Sequence, residues 1–318
     1  MASHFLWPKG NFHKSIIYPP YAVPITIVED TLQLMFPSGY PVLCSSGRAA
    51  LNISLLCSQA ERKDLVDVFP YASHCVLDAV SRVATPTSGS QNSRLKILYH
   101  QWGFVQKHRT HSIVIEDSVD TLCLPGTKLF PAGGAFEIWS LPKILGTSSG
   151  GVLWCRDRNV AKQARHIRDN RGGGLMQWSL RILSKTIPAM HFYWQGLEAS
   201  KGAVSTFQAA EILKAIQKWD CIVSNRLKKL NILWPYAVNW LRKPRNRLPS
   251  VIPIKSDKSE FFLKELGLIS GYRMFTRTVL PGVHTYEKVL PIPIHQDVDE
   301  VWLDDLVIKL KLRVLPDE

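Results

Sequence analysis

Two neighbouring stretches decide the fold: LKILYH, residues 95–100, and HSIVIED, residues 111–117. Each is a short run of apolar and β-branched residues that ends in polar side chains, which is typical of a strand buried in a sheet. Similar runs lie on both sides along the chain, LVDVFP at residues 65–70 and GGVLWCRD at residues 150–157. We therefore expect several buried strands between residues 40 and 160.

Helical patterns alternate with these strands. Apolar residues recur at helical spacing in GRAALNISLLCSQA (47–60), SHCVLDAVSRV (73–83, with Ser73 as the N-cap) and NVAKQARHIRD (159–169). The polar stretch TPTSGSQNS, residues 85–93, is expected to be a surface loop. Alternation of strands and helices predicts an α/β fold with a mostly parallel sheet flanked by helices.

The second half of the chain has a different pattern. Residues 176–230 are predicted to be largely helical, and a Pro-rich basic link follows. After it come a strand (SVIPI, 250–254), a helix (KSEFFLKELG, 258–267) and a final amphipathic helix (DEVWLDDLVIKLK, 299–311). We therefore expect a large α/β domain over residues 1–235 and a smaller C-terminal α+β domain over residues 236–318.

The charge of the chain points to anionic partners. The formal net charge is +13, and it peaks in NRLKKLNILWPYAVNWLRKPRNRLPS, residues 225–250. The aromatic residues of this stretch could stack on bases, as in a nucleic-acid groove. A solvated helix end followed by a linker is the interpretation we favour, because charged runs usually face water. Nucleic-acid binding stays open as an alternative.

Composition favours an ordinary folded protein outside the membrane. Hydrophobic residues make up 46% and charged residues 20% of the chain. No apolar run reaches the roughly 18 to 20 residues of a membrane-spanning helix, and the start lacks the pattern of a secretory signal. The six cysteines lie far apart without C-x-x-C spacing, so we expect reduced thiols and no metal site. These features predict a cytoplasmic protein.

A lysine in an apolar run raises the question of chemistry. In FEIWSLPKILGTSSGG, residues 136–151, Lys143 is surrounded by apolar residues. Such a lysine either extends its amine to the surface or is desolvated, with a depressed pKa and nucleophilic character. A nucleophilic lysine most commonly holds pyridoxal phosphate (PLP) as an imine. PLP also needs a carboxylate at its ring nitrogen, donors for its phosphate and a flat group against its ring.

Residues of these types follow the predicted strands and belong at the same edge of a parallel sheet. Asp117 ends the strand of HSIVIED and could pair with the ring nitrogen. Ser46 and Gly47 stand at the start of a helix, where backbone N–H groups bind phosphate. Ser140 could add a hydroxyl to the same phosphate, and His74 could stack on the ring.

The motifs in their order resemble a known family. They are SSGRAAL (45–51), FPYASHCVLDAV (69–80), YHQWG (99–103), VIEDSVD (114–120) and SLPKILGTSSGGVLW (140–154). This series is similar to that of the DegT/StrS-like sugar-nucleotide aminotransferases, which are fold-type-I PLP enzymes. The family's N-Y-R-M segment, which reaches the neighbouring subunit's site, is not recognisable; SKGAVSTFQ (200–208) stands in its place.

The resemblance implies roles for individual residues. Lys143 would bind PLP and move a proton, Asp117 would pair with the ring nitrogen, and His74 would stack on the ring. The phosphate would be held by Ser46, Gly47, Arg48 and Ser140. Asp120 takes the position near the ring hydroxyl, and His100 and Trp102 are expected to line the substrate crevice.

The resemblance also implies an activity. It predicts a PLP-dependent aminotransferase that moves an amino group from glutamate to a nucleotide-linked keto-sugar, for amino sugars of surface polysaccharides. A homodimer is implied, since fold-type-I enzymes place the site at a subunit interface. A PLP-fold protein with a different or lost activity is the alternative within the same fold.

Overall fold

The computed structural model describes residues 6–8, 22–89, 93–107, 113–173, 175–183, 187, 189–190, 199–254, 271–280 and 283–313. The helices are α1 (Ile25–Met35), α2 (Gly47–Cys57), α3 (His74–Ser81), α4 (Leu141–Leu145), α5 (Arg158–Asn170), α6 (Leu175–Leu183), α7 (Thr206–Ile216), α8 (Trp219–Leu233) and α9 (Glu300–Arg313). Short 3₁₀ turns cover Gln101–Gly103 and Trp234–Tyr236.

The strands fall into three sheets. They are β1 (Tyr40–Cys44), β2 (Leu65–Asp67), β3 (Thr85–Thr87), β4 (Leu95–Tyr99), β5 (Ile113–Asp117), β6 (Leu122–Cys123), β7 (Phe136–Ser140), β8 (Gly151–Cys155), β9 (Arg247–Leu248), β10 (Val251–Ile254), β11 (Arg273–Leu280) and β12 (Val283–Pro293). The central sheet has seven strands in the order β1-β8-β7-β5-β4-β2-β3. Its interior pairings from β7 to β3 are parallel, which confirms the predicted α/β class.

One strand of the central sheet runs against the others. β8 pairs antiparallel with both β1 and β7. The connection from β7 to β8 is short and holds only the brief helix α4, too little chain for the crossover that a parallel pair requires. The sequence predicted β8 as a strand, but its direction was not apparent from local composition.

The edge of the sheet corrects one expectation. Residues 85–87, predicted as part of a loop, form the edge strand β3, in which Pro86 faces Val66 of β2. Proline is tolerated there because an edge strand does not need every N–H for pairing. The predicted strands at β2, β4, β5, β8 and β10 are confirmed, whereas β7 was not predicted.

The two faces of the central sheet bury different apolar clusters. Side chains alternate between faces along a strand, so Trp139 and Trp154 point to one face while Ile138 and Leu153 point to the other. On the first face the two indoles contact Phe36, the residue that follows α1, whose ring centroid lies 5.0 Å from that of Trp139. Helices α2, α3 and α5 contribute to the opposite cluster.

The C-terminal part of the chain forms a small antiparallel sheet, β10-β12-β11, followed by α9. Apolar residues of this part, including Ile252, Leu290 and Leu306, belong to the same buried cluster as Trp139. The division at residue 235 stays a prediction. The predicted helix at 258–267 lies outside the described residues.

The two predicted helix starts differ in how their N-terminal serine side chains are bonded. The side chain of Ser46 accepts a hydrogen bond from the N–H of Ala49, so the expected start of α2 is confirmed. Ser73 precedes α3 as expected, but its side chain makes no capping bond. Helices α6, α7 and α8 confirm the predicted helix over residues 176–183, 206–216 and 219–230, and most of residues 184–198 lie outside the described residues. Within the described part of the chain, no helix is long and apolar enough to span a bilayer.

Candidate active site

The carboxyl ends of β1, β5 and β7 open onto one pocket of about 620 Å³. The residues predicted for chemistry that line it are Ser46, Gly47, Arg48, Trp102, Asp117, Ser140 and Lys143. This is the position that the parallel sheet predicts, because strand ends meet at one edge. The structure therefore brings most of the predicted site residues together.

The Ser46–Gly47 turn is fixed by a close backbone approach. A Cβ atom on Gly151 of β8 would lie only 2.4 Å from the carbonyl carbon of Ser46, so only glycine fits there. A Cβ on Gly47 would lie 3.5 Å from the Cβ of Ser140. The first N–H groups of α2 have no partner within the helix, and the structure holds them beside Ser140. The hydroxyl of Ser140 makes no hydrogen bond to any described residue.

Lys143 lies in a small ionic network at the base of the pocket. Its Nζ is 3.1 Å from Oδ1 of Asp120, and its side chain is 32% exposed while that of Asp120 is fully buried. The same carboxylate accepts hydrogen bonds from the indole Nε1 of Trp7, at 2.7 Å, and from the hydroxyl of Tyr99. Nζ also lies 4.3 Å from the centroid of the Trp7 ring. The lysine does not simply extend to the surface, since it is held by a buried carboxylate and an aromatic face.

The two chemically important groups of the pocket have shifted pKa values. Burial raises the pKa of Asp117 to about 6, and the nearby Lys143 offsets this only in part. For Lys143, burial alone would lower the pKa, but the carboxylates of Asp120 and Asp117 outweigh it and raise the pKa. The sequence left open a desolvated lysine with a depressed pKa; the pKa of Lys143 is raised instead, because two carboxylates face the ammonium group.

His100 lies away from the pocket. It is fully buried; its Nε2 lies 2.7 Å from Oε2 of Glu116, and its Nδ1 accepts from the N–H of Gln106 at 3.1 Å. Glu116 also accepts from the N–H groups of Ala132 and Gly134, at 2.9 and 2.6 Å. These bonds give Glu116 a structural role, on the sheet face opposite Asp117. The structure does not bring His100 to the predicted substrate crevice.

The two other predicted aromatic contacts differ in position. His74 is exposed as the first residue of α3 and is not among the residues that line the pocket; its neighbour Cys75 is. The role of His74 as a ring-stacking residue stays a prediction. Trp102 does line the pocket, and its ring stacks on Phe275 at a centroid distance of 5.1 Å.

Several pocket residues were missed by sequence reasoning. Trp7 comes from the N-terminal segment, and no local motif marks it. Tyr99 could have been found, because it is the last residue of β4, one position before the predicted histidine. Met274 reaches the pocket from β11 of the small sheet. Trp7 and Met274 are far from Lys143 in sequence, and only the tertiary fold brings them to the same pocket.

The basic stretch at 225–250 does not offer the free aromatic faces that base stacking needs. Trp234 and Tyr236 are partly buried against the main apolar cluster. Trp240 stacks on Phe275, with ring centroids 5.6 Å apart, and Arg277 lies 5.2 Å over its ring. The aromatic side chains are thus engaged within the protein, which weakens the nucleic-acid interpretation.

The donor set of the pocket suits pyridoxal phosphate. One end offers the Ser46–Gly47 turn, the Ser140 hydroxyl and Arg48 for a phosphate, and the other offers Asp117 for a ring nitrogen. Lys143 lies close enough to Asp117 for each to shift the other's pKa. An amine, a buried carboxylate and a phosphate cradle in one cavity are the groups that this cofactor requires. Among the described residues, no cluster of His, Cys, Asp or Glu could hold a metal ion.

Comparison with known proteins gives a family match. A family model described as "Putative PLP-dependent aminotransferase" matches residues 28–311. No match is found among curated proteins.

Solved structures share the fold. The PMP form of a protein titled "Putative sugar aminotransferase Spr1654", from Streptococcus pneumoniae, has a TM-score of 0.67 at 13% identity, over 98% of this chain and 97% of its own. A DegT DnrJ EryC1 StrS aminotransferase from Brucella abortus has a TM-score of 0.62 at 15% identity, over 94% and 93%. AtS13 from Actinomadura melliaura has a TM-score of 0.64 at 17% identity, over 91% and 90%. At these identities the likeness shows the fold, and it confirms the fold-type-I expectation.

Proposed function

The chain belongs to this family of PLP-dependent aminotransferases, and on that premise we propose that it transfers an amino group from glutamate to a keto-sugar carried on a nucleotide. The observation that carries the proposal is the pocket in which Lys143 lies between two buried carboxylates, beside the Ser46–Gly47 turn. The enzyme would serve the synthesis of amino sugars for surface polysaccharides.

The chain's own residues would divide the work. Ser46, Gly47, Arg48 and Ser140 would hold the phosphate of PLP, and Asp117 would keep a proton on the ring nitrogen. Bound PLP supplies an aldehyde that takes up the amino group and a ring that accepts electrons. Lys143 would bind the cofactor and then carry a proton on Nζ to and from the substrate carbon.

Asp120 would control the protonation of Lys143. Its carboxylate is fully buried and lies 3.1 Å from Nζ, so it favours the charged amine. Trp7 and Tyr99 both donate to this carboxylate and hold it in place. A cofactor that bonds to Nζ would need the uncharged amine, so the ion pair with Asp120 would first have to be released. The contacts among Asp120, Trp7 and Tyr99 would therefore affect how readily Lys143 takes up PLP.

The acceptor is proposed from two observations. Two of the structures with the same fold, Spr1654 from Streptococcus pneumoniae and CalS13 from Micromonospora echinospora, are titled sugar aminotransferases. A further cationic side chain, Arg273, also lines the pocket, and a guanidinium group suits the diphosphate of a nucleotide-linked sugar. A homodimer is proposed because fold-type-I enzymes place this pocket at a subunit interface. The cytoplasm is proposed because all six cysteines are free thiols, which fits a reducing compartment.

Half-reactions test the proposal. Protein loaded with PLP should lose its visible absorbance band when glutamate is added, with release of 2-oxoglutarate. The resulting amino form should regain the band with a nucleotide-linked keto-sugar, and mass spectrometry should show an amine in place of the oxo group. A response to glutamate without a response to any keto-sugar of a panel would refute the acceptor. Failure of both halves in protein that binds PLP would favour the alternative of a lost or different activity.

A further inference from the structure

A second cavity lies apart from the active-site pocket, and we call it the basic cleft. Its volume is about 780 Å³. The cationic residues that line it are Lys107, Lys128, Arg242, Lys243, Arg245 and Arg247. None of its lining residues, as described, is an aspartate or glutamate. A cavity with one sign of charge concentrates ions of the opposite sign.

The basic cleft owes its shape to residues 240–247, a segment fixed at both ends. At one end the indole Nε1 of Trp240 donates to Oε2 of Glu287 at 3.0 Å. At the other end Arg247 forms a buried ion pair with Glu137, with N–O distances of 2.8 and 3.0 Å. The backbone that carries the cations between these two residues is therefore held in place by contacts with the rest of the protein.

The remaining cations of the basic cleft have no side-chain partner among the residues that the structure describes. The side chains of Lys107, Lys128, Arg242, Lys243 and Arg245 are exposed. None of them makes a hydrogen bond or ion pair through its side chain with any residue that the structure describes. Like charges gathered on a fixed segment repel one another, and a multivalent anion would remove that repulsion.

The apolar wall of the basic cleft favours charge recognition over base stacking. Trp240, the largest aromatic residue of the wall, is stacked on Phe275 and covered by Arg277. Its ring is therefore not free for a nucleobase, whereas stacking would need an open aromatic face. The cleft offers cations and a packed apolar floor.

A packed wall separates the basic cleft from the active-site pocket. Trp102 lines the pocket, Phe275 lines the cleft, and the two rings stack nearly parallel, at 11°. Gly103 adjoins this stack with φ +103°, and a Cβ there would lie 2.9 Å from Cα of Pro249. A ligand that reacts at Lys143 does not pass through this wall.

We propose that the basic cleft is a binding site for a ligand that carries adjacent phosphate groups, a diphosphate. Three cations within residues 242–245 can contact neighbouring phosphates, and a ligand with a single charge would leave most of them unpaired. The proposal stands on the cleft alone and does not depend on the proposed aminotransferase reaction.

Calorimetry with inorganic pyrophosphate tests the site. The PLP-loaded protein is used, so that the cofactor occupies the phosphate cradle of the active-site pocket. The cleft variant combines Arg242→Gln, Lys243→Gln and Arg245→Gln. The control combines Arg158→Gln, Lys162→Gln and Lys218→Gln, three exposed cations elsewhere with the same loss of charge. Circular dichroism and thermal melts confirm that both variants are folded.

We expect pyrophosphate to bind the unaltered protein more tightly than orthophosphate, and more tightly at low salt. The cleft variant should bind about tenfold more weakly or worse, and the control should change by about twofold at most, since its cations lie outside the cleft. Equal weakening in both variants, or orthophosphate binding as tight as that of pyrophosphate, would overturn the proposal.

Two further measurements identify the source of the diphosphate. If pyrophosphate leaves the KM for a nucleotide-linked acceptor unchanged, the basic cleft takes a separate diphosphate ligand, as the packed wall requires; a rise in KM that the cleft variant retains would place pyrophosphate in the active-site pocket and contradict the proposal. Binding of a random single-stranded oligonucleotide that pyrophosphate does not displace would contradict the proposal in favour of a nucleic-acid surface.

Discussion

The active-site pocket and the basic cleft use charge in opposite ways. In the pocket, Lys143 is only partly exposed and lies 3.1 Å from the buried carboxylate of Asp120, with the buried Asp117 nearby. In the basic cleft, five of the six cations are exposed, and the side chains of these five have no partner among the described residues. Burial in the pocket makes each charge depend on its neighbours, whereas water screens the cations of the cleft.

The two regions also differ in what positions their residues. The pocket residues follow strand ends of the central sheet, so its topology brings them together. The basic cleft depends on one segment, residues 240–247, with a buried ion pair at one end. Reaction chemistry therefore rests on the sheet, and the proposed anion recognition rests on an anchored loop.

The largest expected effect is at the pocket lysine. Lys143→Ala should lower aminotransferase turnover by about a thousandfold or more, because it removes both the amine that holds PLP and the proton carrier. Mass spectrometry after borohydride reduction should no longer find PLP attached to the chain. Lys162→Ala, an exposed lysine on α5, is the control and should retain turnover. Turnover of the Lys143→Ala protein within about tenfold of the original would contradict the role of Lys143 in the reaction.

The next effect concerns the anchor of the basic cleft. Burial alone would raise the pKa of Glu137, but Arg247 outweighs it and lowers the pKa, so the carboxylate is ionised. Arg247→Met leaves this buried charge unpaired, and the free energy of unfolding should fall by about 3 to 5 kcal/mol in urea titrations.

The matched control for this anchor is Arg242→Met, which removes an exposed cation of the same segment. Its free energy of unfolding should change by less than about 0.5 kcal/mol. Similar losses in the two variants would show that the buried and exposed cations of the segment do not differ as the structure indicates.

The smallest effect is a pH dependence at Asp117, measured on protein freed of PLP. Its pKa is about 6 in the folded protein, against an ordinary value of 3.8 for the unfolded chain. Between these values the folded state binds more protons than the unfolded chain, so stability falls as pH rises. The loss of stability between about pH 4 and pH 6 should be roughly 2 kcal/mol from this group.

Comparison with a variant isolates that contribution. Asp117→Asn cannot titrate, so its stability should fall less over the same pH range in urea titrations. Asp30→Asn, at an exposed carboxyl of α1, should keep the slope of the original protein. If Asp117→Asn leaves the slope unchanged, the carboxyl is not as strongly desolvated as the pocket suggests.

Much of the fold could be predicted because its signals are local. The apolar, β-branched runs at β4 and β5 form strands as expected, and the Ser46 cap starts α2 as its side-chain chemistry predicts. β7 was missed because its apolar residues continue into the lysine-bearing stretch. The direction of β8 was missed because strand direction depends on the length of a connection and not on composition.

The candidate site could be predicted only where a strand end marks it. Asp117 and Ser140 end strands and line the pocket. At the end of β4 the prediction fell on His100, whose ring is turned to a buried carboxylate, and not on Tyr99. Trp7 could not be predicted as a site residue, because 113 residues separate it from Asp120, whose carboxylate it contacts.

By itself the sequence determined the α/β class, the order of the motifs and the residue types of a PLP pocket, since these follow from local patterns of apolar and polar residues. Tertiary structure alone decided the charge state around Lys143, because a pKa depends on groups close in space and not in sequence. It also decided which of the basic residues at 240–247 is a buried anchor and which are exposed to a ligand. In the sequence, a basic residue that is buried in an ion pair cannot be distinguished from one that is exposed. Only the packing of the folded chain shows which of them has a partner.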